Sequence, residues 1–124
     1  MATQGQTNRE TFIAGADLSA KQFTFVIMNT TDRTVVAAGN AAAADGIVIN
    51  KPASGEAATV VTFGRTMVLA GTGGLTAGAL IGCDAAGLGV VAATGDIVLG
   101  KVVDAGAAAG YATIDFQRGG NAAA

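Results

Sequence analysis

Histidine and tryptophan are absent from this 124-residue chain, cysteine, proline and tyrosine occur once each, and charged side chains make up only 13% of it. Each shortage removes a class of function. Without histidine the chain lacks the commonest general base at neutral pH and the commonest metal ligand. A single thiol, Cys83, can neither close an intrachain disulfide nor complete a zinc site of the usual Cys/His kind. As a nucleophile Cys83 would have no imidazole partner, so between Gly82 and Asp84 it reads as a small buried hydrophobe. Seven basic residues stand singly against nine acidic ones. Nucleic-acid binding needs clustered positive charge to neutralise phosphates, and no such cluster is present. No stretch approaches the ~18 uninterrupted apolar residues of a membrane-spanning helix. Five Phe, one Tyr and no Trp are too few to girdle a transmembrane barrel. The polar start, Met1 to Gln6, lacks the basic-then-apolar order of a secretion signal, so synthesis in the cytoplasm is expected.

What the chain does contain is small and β-forming. Apolar residues are 51% of it, but 28 of them are alanine. Among the larger ones Val and Ile number 19 against six Leu, and there are 14 Thr. β-Branched side chains fit a pleated, half-buried surface and favour strands. Low charge combined with positive mean hydropathy, once a membrane is set aside, suits a protein that covers much of its surface with partners.

The length fits one domain. Residues 1–17 are polar and without clear periodicity, and read as an extended N-terminal arm with Phe12 and Ile13 as its apolar anchors. Gln22 to Met28 and Thr34 to Ala37 flank the turn residues Asn29 to Arg33 and form a hairpin. Ala38 to Asp45 reads as a loop and Gly46 to Asn50 as a short strand ended by Pro52. Ala58 to Gly64 is a strand, and Thr66 to Ala70 is another, or its continuation past a kink at Gly64. Ala79 to Cys83, Leu88 to Ala92 and Ile97 to Val103 are further strands between Gly-rich turns. Tyr111 to Phe116 alternates cleanly, with Tyr, Thr and Asp on one face and Ala, Ile and Phe on the other. Eight or nine short strands at about ten-residue spacing, with no long helical pattern, predict an all-β fold: a small antiparallel β-barrel or β-sandwich.

Sites of chemistry are hard to assemble from what remains. Asp32, Asp45, Asp84 and Asp96 fall at turns, where aspartate bonds its own backbone. No Asp-x-Asp-x-Asp run suggests calcium, and no acid pair has a spacing that suggests glycoside hydrolysis. The segment Gly71-Thr-Gly-Gly-Leu-Thr-Ala-Gly78 lacks the Gly-Lys-Ser/Thr ending of a phosphate loop and no helix pattern follows it, so it reads as a turn. Lys21, Arg33, Lys51, Arg65, Lys101 and Arg118 read as solvated or rim charges. No enzymatic activity, cofactor, metal or small-molecule substrate is expected.

The order of motifs resembles that of small bacteriophage capsid cement, or head-decoration, proteins. The resemblance is carried by Ala16-Asp-Leu-Ser19 with Gln22-Phe23 to Met28, by Gly46-Ile-Val-Ile-Asn-Lys-Pro52 followed by Gly55-Glu-Ala57, by Leu75-Thr-Ala-Gly78 with Asp84-Ala-Ala-Gly87, and by Thr94-Gly95, Gly100 and the last strand from Gly110 to Phe116. It spans roughly residues 16–118. It implies a structural virion protein that binds the outer surface of a capsid, often as a trimer, and clamps neighbouring major capsid protein subunits. The expected organisation is an arm over 1–17, a barrel or sandwich over 18–118 and a flexible tail over 119–124. The expected interface residues are Phe12 and Ile13 in the arm, and Met67, Val68 and Leu69 in the middle strand. The alternative is a carbohydrate- or receptor-binding β-module of a virion fibre, against which the absence of Trp and the single Tyr111 weigh.

Overall fold

The computed structural model describes residues 8–40, 42–93 and 95–117. Nine strands and no helix occur among them: β1 (Asn8–Ala14), β2 (Thr24–Met28), β3 (Thr34–Ala37), β4 (Gly46–Val48), β5 (Ala57–Leu69), β6 (Leu80–Cys83), β7 (Gly89–Val91), β8 (Gly100–Asp104) and β9 (Tyr111–Phe116). They lie in the order β1-β3-β2-β4-β5-β9-β8-β6-β7, and a further pairing of β1 with β5 closes the first five into a barrel. The fold is all-β, as its Val, Ile and Thr content predicts. It is a barrel carrying a second sheet rather than one or the other alone.

The two parts share β5. Its first half pairs with β1 from Ala57 to Phe63 and with β4 at Val60 and Val61. Its second half, Gly64 to Leu69, pairs with β9. The kink expected at Gly64 is a residue at φ +107° inside one continuous strand. A positive φ of that kind is open to glycine and costly for any residue with a Cβ.

Residues 8–14 of the expected arm are the barrel strand β1. Thr11, Phe12 and Ile13 pair with Thr59, Ala58 and Ala57 of β5, and Ile13 and Ala14 also pair with Thr34 and Val35 of β3. The segment reads as an irregular polar arm because, from Arg9 to Ala14, Phe12 and Ala14 face inward while Arg9, Glu10, Thr11 and Ile13 are exposed. A strand with so few inward positions shows almost no period-2 signal. Residues 1–7 of the expected arm, the expected tail 119–124 and Arg118 lie outside the described residues. Every strand pair is antiparallel except β1–β3, which is parallel.

Two cores hold the layers. Phe12, Ala14, Leu18, Val26, Val35, Val48, Ala58 and Val60 fill the barrel. Phe25 and Ile47 instead point out of the barrel wall, into a larger core with Val68, Ile81, Leu99, Val102, Ile114 and Phe116. Alternate residues of β2 and β4 therefore serve opposite cores, and both strands are buried on both faces. That is why Phe25-Val26 and Ile47-Val48 read as continuous rather than alternating apolar runs.

Phe116 sits where the two layers meet. It is fully buried, and its ring centroid lies 6.0 Å from that of Phe25. Its cross-strand neighbours are Gly64 on β5 and Gly100 on β8. A Cβ at Gly100 would run into the carbonyl of Asp115. The turn Asp84–Gly87 fastens the second sheet to the barrel from the other side: the Phe25 N–H donates to the Gly87 carbonyl at 2.8 Å. Asp84 shapes that turn by accepting the N–H groups of Ala86 and Leu88 at 2.8 and 2.9 Å.

Removing the ring in Phe116→Ala is expected to lower the free energy of unfolding by about 3–5 kcal/mol, the usual range for deleting a buried aromatic side chain. Gly100→Ala is expected to be destabilising despite adding only one methyl, because its clash is with backbone that cannot swing away. Chemical denaturation of the two variants checks both; a wild-type midpoint for either would mean that the junction packs differently.

Candidate interaction surface

The outer face of the second sheet brings together side chains that strand alternation keeps apart in sequence. On the second half of β5 the outward positions are Arg65, Met67 and Leu69, and on β9 they are Tyr111, Thr113 and Asp115. The register sets Leu69 opposite Tyr111, Met67 opposite Thr113 and Arg65 opposite Asp115. Asp115 also faces Lys101 of β8, and Lys101 faces Leu80 of β6. One row therefore runs Leu80, Lys101, Asp115, Arg65 across four strands. Met67, Leu80 and Tyr111 on this face are 40%, 44% and 53% exposed, unusually open for large apolar side chains.

Polar groups fix the middle of this face. Arg65 grips Asp115 with both Nε, at 3.0 Å, and Nη2, at 3.3 Å. Hydrogen bonding and attraction from Asp115 push the Arg65 guanidinium above its ordinary value. Both partners are half exposed, so the pair contributes orientation more than stability. Tyr111 is held by the edge of Phe23, with ring centroids 5.4 Å apart and planes at 82°.

Strained backbone gathers at the Tyr111 end. Phe23 and Ala109 both adopt left-handed φ values, +64° and +63°, a conformation that persists in residues with a Cβ only when the surroundings impose it. Here the surroundings are β5. Leu69 N–H donates to the Phe23 carbonyl at 2.8 Å, Ala109 N–H donates to the Ala70 carbonyl at 3.1 Å, and Ala70 N–H donates to the Gly110 carbonyl at 2.8 Å. Beside them Leu69, Ala70, Gly71, Leu88, Ala108 and Ala109 line an open apolar hollow. The Gly71–Gly78 segment is turn structure, as its sequence suggests, and Gly71 forms part of that hollow.

The residues expected at an interface divide. Ile13 (47% exposed) and Met67 are exposed, and Leu69 is half-buried. Phe12 and Val68 are buried and present no surface to a partner: Phe12 packs inside the barrel and Val68 in the core beneath the second sheet. Three consecutive strand residues cannot share a face, so Met67, Val68 and Leu69 could never have acted together. Leu80 and Tyr111 are absent from the expected interface residues. The alternation of Tyr111 to Phe116 already placed Tyr111 on the solvent side. Which strands flank it required the register.

Among the described residues no group of three or more His, Cys, Asp or Glu side chains is placed to hold a metal ion. Several acids act on backbone: Asp17 accepts the Ser19 N–H at 3.0 Å, and Asp96 accepts the Ala93 N–H at 3.0 Å. Asp45 differs from the expectation of a local turn and reaches the Met28 N–H of β2 at 2.8 Å. Cys83 is buried, with its thiol donating to the Gly39 carbonyl at 2.9 Å. Burial pushes that thiol up, away from the reactive thiolate. Cys83 is accordingly expected to resist a thiol reagent such as DTNB in the native protein and to react fully in denaturant. Rapid labelling of the folded chain would contradict its place in the core.

No known protein-family description matches the sequence, and no curated protein is significantly similar to it. The backbone does have a solved counterpart: the head fiber gp8.5 N base of bacteriophage phi29, with a TM-score of 0.72. The match covers 94% of this chain and 98% of the other at 15% sequence identity. The two share a fold.

Proposed function

We propose that this chain is a structural protein of a bacteriophage virion, without catalytic activity, which docks on the outer surface of the head as a homotrimer and cements neighbouring major capsid protein subunits. The observation that carries the reading is the near end-to-end backbone likeness to a phage head fiber base. Two further features support it. The motif order resembles that of head-decoration proteins, and the outer sheet face exposes Met67, Leu80 and Tyr111 around the Arg65–Asp115 pair. Aromatic, Met and Arg side chains are the types enriched where proteins meet. Such a face suits a contact repeated over a shell, where linked weak contacts act together. A ligand that binds only the assembled head opposes its disassembly by mass action.

The second reading is a base module that seats a fibre on the head, and the neighbour's own description as a head fiber base favours it. The two differ in what binding does to the particle. Heads lacking the protein are incubated with the purified chain, sedimented, and tested for thermal rupture. Binding with a raised rupture temperature supports cementing, and binding without stabilisation supports the fibre base. Absence of binding by a trimeric, folded sample would overturn both. Met67→Glu and Tyr111→Glu are each expected to weaken binding by about tenfold or more, the loss typical of a central contact residue, while leaving the unfolding midpoint close to wild type. Sedimentation of the free chain tests the trimer.

A further inference from the structure

Five strands close the barrel, and five is odd. From β3 through β2, β4 and β5 to β1 each neighbour reverses direction. β1 therefore ends up running with β3, and closure requires one parallel seam. That seam is short: its register is Ile13 with Thr34 and Ala14 with Val35, whereas β1 meets β5 over six paired positions from Asn8 to Ile13. Parallel pairing is also the slightly weaker kind per residue.

One side chain straddles the seam. Arg33, at the end of the β2–β3 turn, donates from Nη2 to the Thr11 carbonyl at 2.6 Å and from Nη1 to the Glu10 carboxylate at 3.4 Å. Its guanidinium carbon stands 4.6 Å from the centre of the Phe12 ring, a cation–π distance. Arg33 reaches these three groups of β1 from a backbone at φ +58°, a left-handed conformation unfavourable for a residue with a Cβ.

We propose that the β1–β3 seam is a built-in opening of the barrel, latched by Arg33: the β2–β3 hairpin parts from β1 ahead of global unfolding, while β1 stays on β5. This goes beyond the virion reading and does not depend on it. Neighbouring amides of one strand report the two sides separately. Ile13 N–H donates to the Arg33 carbonyl at 2.6 Å and Gly15 N–H to the Val35 carbonyl at 2.8 Å, both across the seam. Ala14 N–H, between them, donates to the Glu56 carbonyl at 2.9 Å, on the β5 side.

Hydrogen exchange followed by NMR on the full chain tests the proposal. Amides lost by local opening exchange faster than those released only by global unfolding. Ile13 and Gly15 are expected to exchange at least about tenfold faster than Ala14, after correction for intrinsic rates. Arg33→Gly removes the latch yet suits the positive φ, so backbone strain is relieved rather than added. It is expected to widen the gap between Ile13 and Gly15 on one side and Ala14 on the other, with the Val68 and Val102 amides still protected. Equal exchange of all three amides in the wild type would overturn the seam as an opening. An unchanged ratio in Arg33→Gly would overturn Arg33 as its latch.

Discussion

The thirteen residues of β5 are the constraint on which the rest of the molecule depends. One half of the strand is a stave of the barrel and the other half is a strand of the second sheet. A rigid backbone shared in this way fixes the barrel and the sheet to one another without a linker. Gly64 lets the strand bend where it changes allegiance, and Phe116 fills the corner that the bend creates, between Gly64 on one side and Gly100 on the other. A large ring flanked by two positions without side chains is a local solution to a global need: the second sheet must approach the barrel wall closely enough for Phe116 to meet Phe25.

Sharing β5 also decides how burial is distributed. The barrel alone would show water one face of every strand. Because the second sheet lies against β2 and β4, those strands are buried on both sides, and the larger core lies between the layers rather than in the barrel. The opposite wall, around β1 and β3, has no such sheet over it among the described residues. It is held by a short parallel seam and by the contacts of Arg33. Stability is thus graded across the barrel, highest where the sheet backs it and lowest where an odd number of strands forces two of them to run the same way.

The outer face of the second sheet has the converse property. Its inner side is packed, its register is set by six paired positions between β5 and β9, and its centre is held by a two-point Arg65–Asp115 contact. Apolar side chains on such a face are presented by a paired and internally packed backbone. A pre-organised surface loses little freedom when it is covered, which fits the proposed role of one repeated contact among many on a particle.

Much of this was legible in the residues. The excess of Val and Ile over Leu determined strands, the Gly, Asn and Asp clusters determined where they end, and the alternation from Tyr111 to Phe116 determined which of its side chains meet water. Asp84 and Asp96 do at their turns what aspartate does at turns generally, since that chemistry is local. Residues 8–14 read as part of an arm, with Phe12 as an anchor, because two inward positions among residues 9–14 leave no periodic signal, and because the pairing that buries Phe12 comes from β5, more than forty residues away. The same distance hid the sheet face: Arg65, Asp115, Lys101 and Leu80 belong to four strands that only register makes neighbours. Sequence by itself determined secondary structure and the absence of the usual chemical groups, because both follow from residue type and local spacing. Only the tertiary structure decided the odd-stranded closure, its parallel seam and the shared face, because each is a property of pairing between segments that no local pattern encodes.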